Sequence, residues 1–322
     1  MRWWYLKHEH CRGYAVDHHS KAQVDSSRDL PHDISEFYLT DKNRNWYMIP
    51  KIALENLELS RMVCGTNQFV GISHVIGRFY RVGDPGLIHR SPFSTFYYMH
   101  KFKDVGKIVE IMLYLAQEHG INCCVSSPRD AIHEAIQQVE KETGVKFHWL
   151  CTPSTRHTVP GLEGDIFKQI EWCADRGVSV CMPHRDYTDK ALDVEANIIK
   201  GYPEISACIR DHGMIPGLST HYIETIKAVE DNGYDAPLVI QPHNRIGFES
   251  DTEPTTLTTH IQETKLQILN IKPMAAGRIR PEEGLRWCLE RIKPNDFLAV
   301  GFGDIKYAKE DAAFVENLMN QP

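Results

Sequence analysis

Short apolar runs alternate with amphipathic stretches eight times between Arg61 and Pro322. The runs cover residues 62–65, 121–125, 147–151, 178–182, 215–218, 238–241, 268–272 and 297–300. Compact apolar runs of this length predict parallel strands buried on both faces. Between them, apolar residues recur at helical spacing over 105–119, 129–143, 164–176, 192–212, 222–232, 255–265, 281–291 and 307–318. The fourth stretch carries Gly201-Tyr202-Pro203 and reads as two pieces. His119-Gly120-Ile121 and Arg176-Gly177-Val178 are helix stops that feed a strand. Eight such units predict an α/β fold of the (β/α)8 TIM-barrel type, with chemistry at the residues just after each strand. An open doubly wound sheet shares the alternation, but no G-x-G-x-x-G follows a strand here.

Outside the repeat the pattern changes. Residues 46–60 read as an N-terminal β-hairpin around Glu55-Asn56, placed to plug the N-terminal end of the barrel. Residues 1–45 are polar, carry His8, His10, His18 and His19, and read as a flexible extension, with a metal-binding tail as the alternative. The connection after the first strand, 68–104, far exceeds the usual 2–6 residues of a βα loop. It reads as a lid or specificity loop whose His74, Arg78, Arg90 and Lys101 could meet an anionic substrate, or as an insertion over the barrel rim.

Composition narrows the function classes. The 322 residues include enough apolar side chains, 42%, for one large core. A net charge of −7 argues against a nucleic-acid partner, and no apolar run approaches the ~20 residues that span a membrane. The expected partner is a small-molecule substrate. Nine cysteines without C-x-x-C read as reduced thiols of a cytoplasmic protein, with Cys123-Cys124 as core.

After the hairpin, Arg61-Met62-Val63-Cys64-Gly65-Thr66-Asn67-Gln68 resembles the first strand of the aldo-keto reductase superfamily. Gly217-Leu218-Ser219-Thr220-His221, Gln241-Pro242-His243-Asn244, Lys272-Pro273-Met274-Ala275-Ala276-Gly277-Arg278 and Val300-Gly301-Phe302-Gly303 resemble its fifth to eighth strand ends. The resemblance runs over residues 48–320 and implies a nicotinamide-dependent oxidoreductase. Asn67, Ser219, Gln241 and Asn244 would hold the nicotinamide end of NADPH or NADH. Lys272, Gly277, Arg278, Gly301 and Gly303 would hold its phosphates, although Asp304 opposes a 2′-phosphate.

The superfamily's Asp, Tyr, Lys and His set is matched at His184 alone. Val125-Ser126, Pro128-Arg129-Asp130 and Cys151-Thr152-Pro153 stand where the other three belong, so Tyr97, Tyr98 or His100 would have to donate the proton.

The strand ends also carry a different constellation. The candidate catalytic residues are His184, Asp189 and His221. With His243 as a third imidazole, and Asp186 or Asp189 as a further ligand or general base, His184 and His221 could hold a divalent metal. That alternative predicts a metal-dependent lyase, isomerase or hydrolase. A non-catalytic ligand-binding barrel is the third possibility.

Overall fold

The computed structural model describes residues 48–72, 94–155 and 159–321. The expected extension 1–45, and His74, Arg78 and Arg90, lie outside the described residues. Two short strands, β1 (Lys51–Leu54) and β2 (Leu57–Ser60), form the expected antiparallel hairpin, with Glu55 in the left-handed region at its turn. The chain then enters β3 (Met62–Gly65), the first of eight parallel strands. The others are β4 (Cys123–Ser126), β5 (His148–Cys151), β6 (Val180–Cys181), β9 (Ile215–Ser219), β10 (Leu238–Pro242), β11 (Gln267–Ile271) and β12 (Phe297–Gly301). The sheet closes where β12 pairs with β3, Val300 opposite Cys64.

Alternation along each strand sets the two sides of the wall. Val63, Leu150, Val180, Leu238, Leu269 and Phe297 meet inside the barrel, while Met62, Cys64, Trp149, Leu298 and Val300 pack outward against helices. Cys123 belongs to the inner set and Cys124 to the outer, so these adjacent thiols face apart as core residues. The helices that cover the wall include α2 (Val105–His119), α3 (Asp130–Thr143), α4 (Ile166–Asp175), α7 (Ile223–Asn232), α8 (Pro254–Glu263), α9 (Pro281–Leu289) and α10 (Ile305–Met319). Gly120 ends α2 in the left-handed conformation, its N–H returning to Ala116 and Leu115 carbonyls, as the sequence predicts. Among the described residues, no helix is long and apolar enough to cross a membrane.

The hairpin closes the N-terminal end. Leu54 and Leu59 are fully buried among the inner barrel side chains, each contributing about 1.5–3 kcal/mol of apolar burial. Asn122, just before β4, accepts from the Ser60 N–H at 2.8 Å and donates to the Glu58 carbonyl at 2.9 Å. Gln267 Nε2 donates to the Ala53 carbonyl at 2.9 Å.

Two expectations are corrected here. The stretch 192–212 is not a two-piece helix. Helix α5 (Arg185–Ala191) starts directly after the fourth barrel strand. A small hairpin of β7 (Leu192–Asp193) and β8 (Ile198–Ile199) follows, then α6 (Tyr202–Asp211). Asp193 Oδ1 accepts the Ala196 N–H and Asn197 turns left-handed, side-chain chemistry that competes with helix in this segment. The connection 68–104 is likewise not loop throughout: Ser94–Lys101 forms helix α1.

Candidate active site

At the C-terminal mouth of the barrel, the strand ends enclose a cavity of about 360 Å³. Its wall is built from residues at the strand ends and in the loops that follow them, among them Thr66, Ser126, Thr152, His184, His221 and Lys272. Thr66, Ser126 and Thr152 use their hydroxyls to tie neighbouring strand ends together. Thr66 Oγ1 donates to the Val125 carbonyl at 2.9 Å, and Thr152 Oγ1 to that of Ser126 at 3.2 Å. Two other atoms in the wall, Gln68 Oε1 and Ser127 Oγ, are buried without a hydrogen-bond partner among the described residues. Such groups lose their water without a replacement bond, which is uncommon in native structures outside functional sites.

His184 lines the cavity at the start of α5. Its Nδ1 lies 3.2 Å from Asp186 Oδ1 and 3.3 Å from the Asp186 N–H. Deprotonated, Nδ1 accepts from that N–H and caps the helix; protonated, it donates to the carboxylate. Both charge states of the ring therefore have a partner, which is what an acid–base group requires. Asp186 is itself fixed by the loop after β5: Ser154 Oγ donates to Oδ2 at 2.7 Å and the Thr155 N–H to Oδ1 at 3.3 Å. Burial pushes this carboxyl up, but the bonds from His184 and Ser154 outweigh it and hold it well below the usual range.

The other sequence candidates separate into those in the wall and those behind it. His221 and Ser219 line the cavity. Asp189 does not; its Oδ1 accepts from Thr220 Oγ1 at 2.7 Å and from the His221 N–H at 3.3 Å, so it positions the end of β9. Burial outweighs those bonds and raises its pKa.

His243 is fully buried and does not join His184 and His221. Leu238 and Ile240 point into the barrel, so residues 241 and 243 fall on the outer face. There the His243 ring packs on Trp287, with Nε2 2.9 Å from Thr258 Oγ1. Burial first, then Arg291, lowers its pKa to about 4. Among the described residues, no group of three His, Cys, Asp or Glu side chains is placed to hold a metal ion, so the three-imidazole site is not formed.

The nicotinamide set divides in the same way. Asn67, Ser219, Lys272, Gly277, Gly301 and Gly303 line the cavity, whereas Gln241, Asn244 and Arg278 do not. Gln241 is buried on the outer face with neither amide atom bonded. Asn244 closes its own loop, its amide bonded to both the N–H and the carbonyl of Phe248. Arg278 lies 4.0 Å over the Phe248 ring and donates to the Ala275 carbonyl.

The glycine turn after β12 is also filled from within. A Cβ on Gly301 would fall 2.7 Å from Gln68 Oε1, and one on Gly303 2.6 Å from the Tyr98 hydroxyl. Lys101 donates to the Gly303 carbonyl at 2.7 Å and pairs with Asp304 at 2.5 Å. Asp304 accepts the Lys306 N–H as the cap of α10. A carboxylate thus occupies the helix terminus where a phosphate would sit. Six of the nine cofactor-side residues thus line the cavity, while Gln241, Asn244 and Arg278 face elsewhere, Gln68 and Tyr98 pack over the glycine turn and Asp304 caps α10.

Sequence reasoning missed Glu249, Arg185 and Ser154. Glu249 sits in the loop after β10 and pairs with Lys272 across the cavity wall; both residues are left-handed. No motif marks it, and it stands seven residues beyond the strand. Ser154 is a polar residue three positions past a predicted strand end, a signal that was available, whereas Asp186 was already among the candidates.

Comparison with known proteins agrees with the architecture. No family profile and no curated protein matches the chain. Among solved structures, a putative aldo-keto reductase from Pseudomonas aeruginosa is similar at 15% identity, covering 85% of this chain and 97% of that one, with a TM-score of 0.56. A second structure of a putative aldo-keto reductase from that organism gives 17%, 81% and 92%, and 0.54. An aldo/keto reductase from Brucella melitensis gives 10%, 82% and 91%, and 0.50. The chain thus shares a (β/α)8 barrel with these structures; at these identities the likeness concerns the fold, and activity is argued from the site.

Proposed function

We propose that the barrel mouth is the active site of an enzyme that moves protons on a small carbonyl compound. His184 is the acid–base group and Asp186 orients it. The observation that carries this reading is His184 Nδ1 held between the Asp186 carboxylate and N–H in the wall of the cavity. A positioned acid–base group of this kind contributes about 10²–10⁴-fold to a rate. A volume of about 360 Å³ suits a small molecule. Arg185 on the wall suits one that carries a carboxylate or phosphate. The test is exchange of the protons next to the carbonyl in D2O, followed by proton NMR over a panel of small ketones and aldehydes. Exchange that is present in the native protein and lost in His184→Gln is expected; ligand binding without exchange would favour a non-catalytic barrel.

A nicotinamide-dependent oxidoreductase is the second reading, favoured by Ser219, Asn67 and Gly277 in the wall and by the fold. Tryptophan fluorescence of dialysed protein titrated with NADPH and NADH separates the two. No saturable binding to millimolar cofactor is expected; saturable micromolar binding would reinstate the oxidoreductase.

A further inference from the structure

We infer that Lys272 is a nucleophile of this site, its amine condensing with the substrate carbonyl to form an imine. The inference rests on the proposed carbonyl chemistry at the mouth and adds a covalent step to it. Lys272 is the one lysine among the described residues that line the cavity. It directly follows β11 with its backbone in the left-handed region, and its side chain is only 13% exposed. Its ammonium is paired with Glu249, which also lines the cavity.

Three features suit an amine nucleophile. The nitrogen is desolvated by the wall, so its charged form is disfavoured. A second cation, Arg185, acts on it from the same cavity. A carboxylate is in contact to take up the proton. The pKa follows this arrangement: burial lowers it first, Glu249 opposes, and Arg185 adds to the lowering. The left-handed backbone at both Lys272 and Glu249 is a conformation that non-glycine residues seldom hold, and such positions cluster at functional sites.

The step balances without an added reagent. The Lys272 ammonium gives one proton to Glu249, and the neutral amine attacks the carbonyl carbon to form the N–C bond. A second proton passes from nitrogen to the former carbonyl oxygen, relayed through water, to give a carbinolamine. Protonated Glu249 returns its proton to that hydroxyl, the C–O bond breaks, and water leaves. The product is an iminium on Lys272, with the two lost ammonium protons carried off in the water. The iminium draws electrons from the neighbouring carbon, which makes the proton there accessible to His184.

Trapping tests this. The full chain is incubated with pyruvate or dihydroxyacetone phosphate, two small ketones that bear an anion, and reduced with sodium borohydride. Intact mass and peptide mapping then locate the secondary amine. The expected result is one adduct on Lys272, lost in Lys272→Met, weakened in Glu249→Gln and retained in His184→Gln. Adducts spread over other lysines, or none with either ketone, would overturn the inference. Mapping on the native chain makes the result independent of how Lys272→Met folds. His184-dependent proton exchange without trapping leaves the acid–base reading standing and removes the imine; trapping without His184-dependent exchange does the reverse.

Discussion

At the N-terminal end of the barrel, Asn122 and Arg61 bond buried or half-buried backbone groups of the hairpin and loops, and Gln267 bonds an exposed carbonyl at the rim. At the C-terminal end, Gln68, Ser127 and Thr155 keep buried polar atoms without partners among the described residues. Glu249, Lys272, Ala275 and Ala276 there take left-handed backbone. Left-handed Glu55 in the hairpin turn shows that such backbone also occurs at the other end, so the two ends differ chiefly in their under-bonded polar groups. The first fastens the hairpin to the barrel, and the second holds polar groups that a ligand can complete.

The sharpest break in that symmetry comes from single residues at each end. His184→Ala is expected to lower turnover by about 10²–10⁴-fold while unfolding changes by no more than about 1 kcal/mol, the loss of a helix cap. Paired steady-state assays and urea unfolding read the two effects. Leu59→Ala, at the opposite end, is expected to remove about 2–5 kcal/mol of stability and leave the mouth's ligand affinity unchanged. Equal effects of both substitutions on turnover would erase the distinction between the ends.

Acid sharpens the account of the outer wall. His243 is neutral in the fold because its pKa is near 4, below that of the unfolded chain. The unfolded state therefore binds more protons between the two values, and stability falls as pH drops from about 6.5 towards 4. His243→Gln is expected to flatten that segment of the stability–pH curve. Asp186 acts in the same direction at lower pH: its depressed pKa stabilises the fold above the unfolded carboxyl value, and the contribution is lost as pH falls towards the native one. The smallest effect is expected from Asn122→Ala, about 1–3 kcal/mol from two lost hydrogen bonds in the hairpin seat, read by urea unfolding with turnover unchanged.

The barrel was legible because strand periodicity and helix stops are local. The strand 62–65 and the helix 105–119 coincide with their predicted bounds, and Glu55-Asn56 turns the hairpin as expected. What escaped was set by parity and by distance along the chain. His243 lies just after a strand like His184, yet one step of alternation sends it outward to Trp287. Gln241 and Asn244 resemble cofactor ligands in sequence, but register and a local loop bond turn their amides elsewhere. The pairing of Lys272 with Glu249 joins loops 23 residues apart and has no spacing signature. The hairpin at 192–199 was hidden because its helical-looking pattern is broken by the Asp193 side chain and by left-handed Asn197 and Gly201.

The central claim is that the mouth performs proton transfer through His184. Its most direct test is NMR-detected exchange, in D2O, of the protons beside the carbonyl across a panel of small ketones and aldehydes, with native protein and His184→Gln side by side. The account predicts that the native protein accelerates exchange for at least one compound bearing a carboxylate or phosphate, and that the variant does not. Exchange of equal rate in the two proteins, or none across the panel, would contradict it.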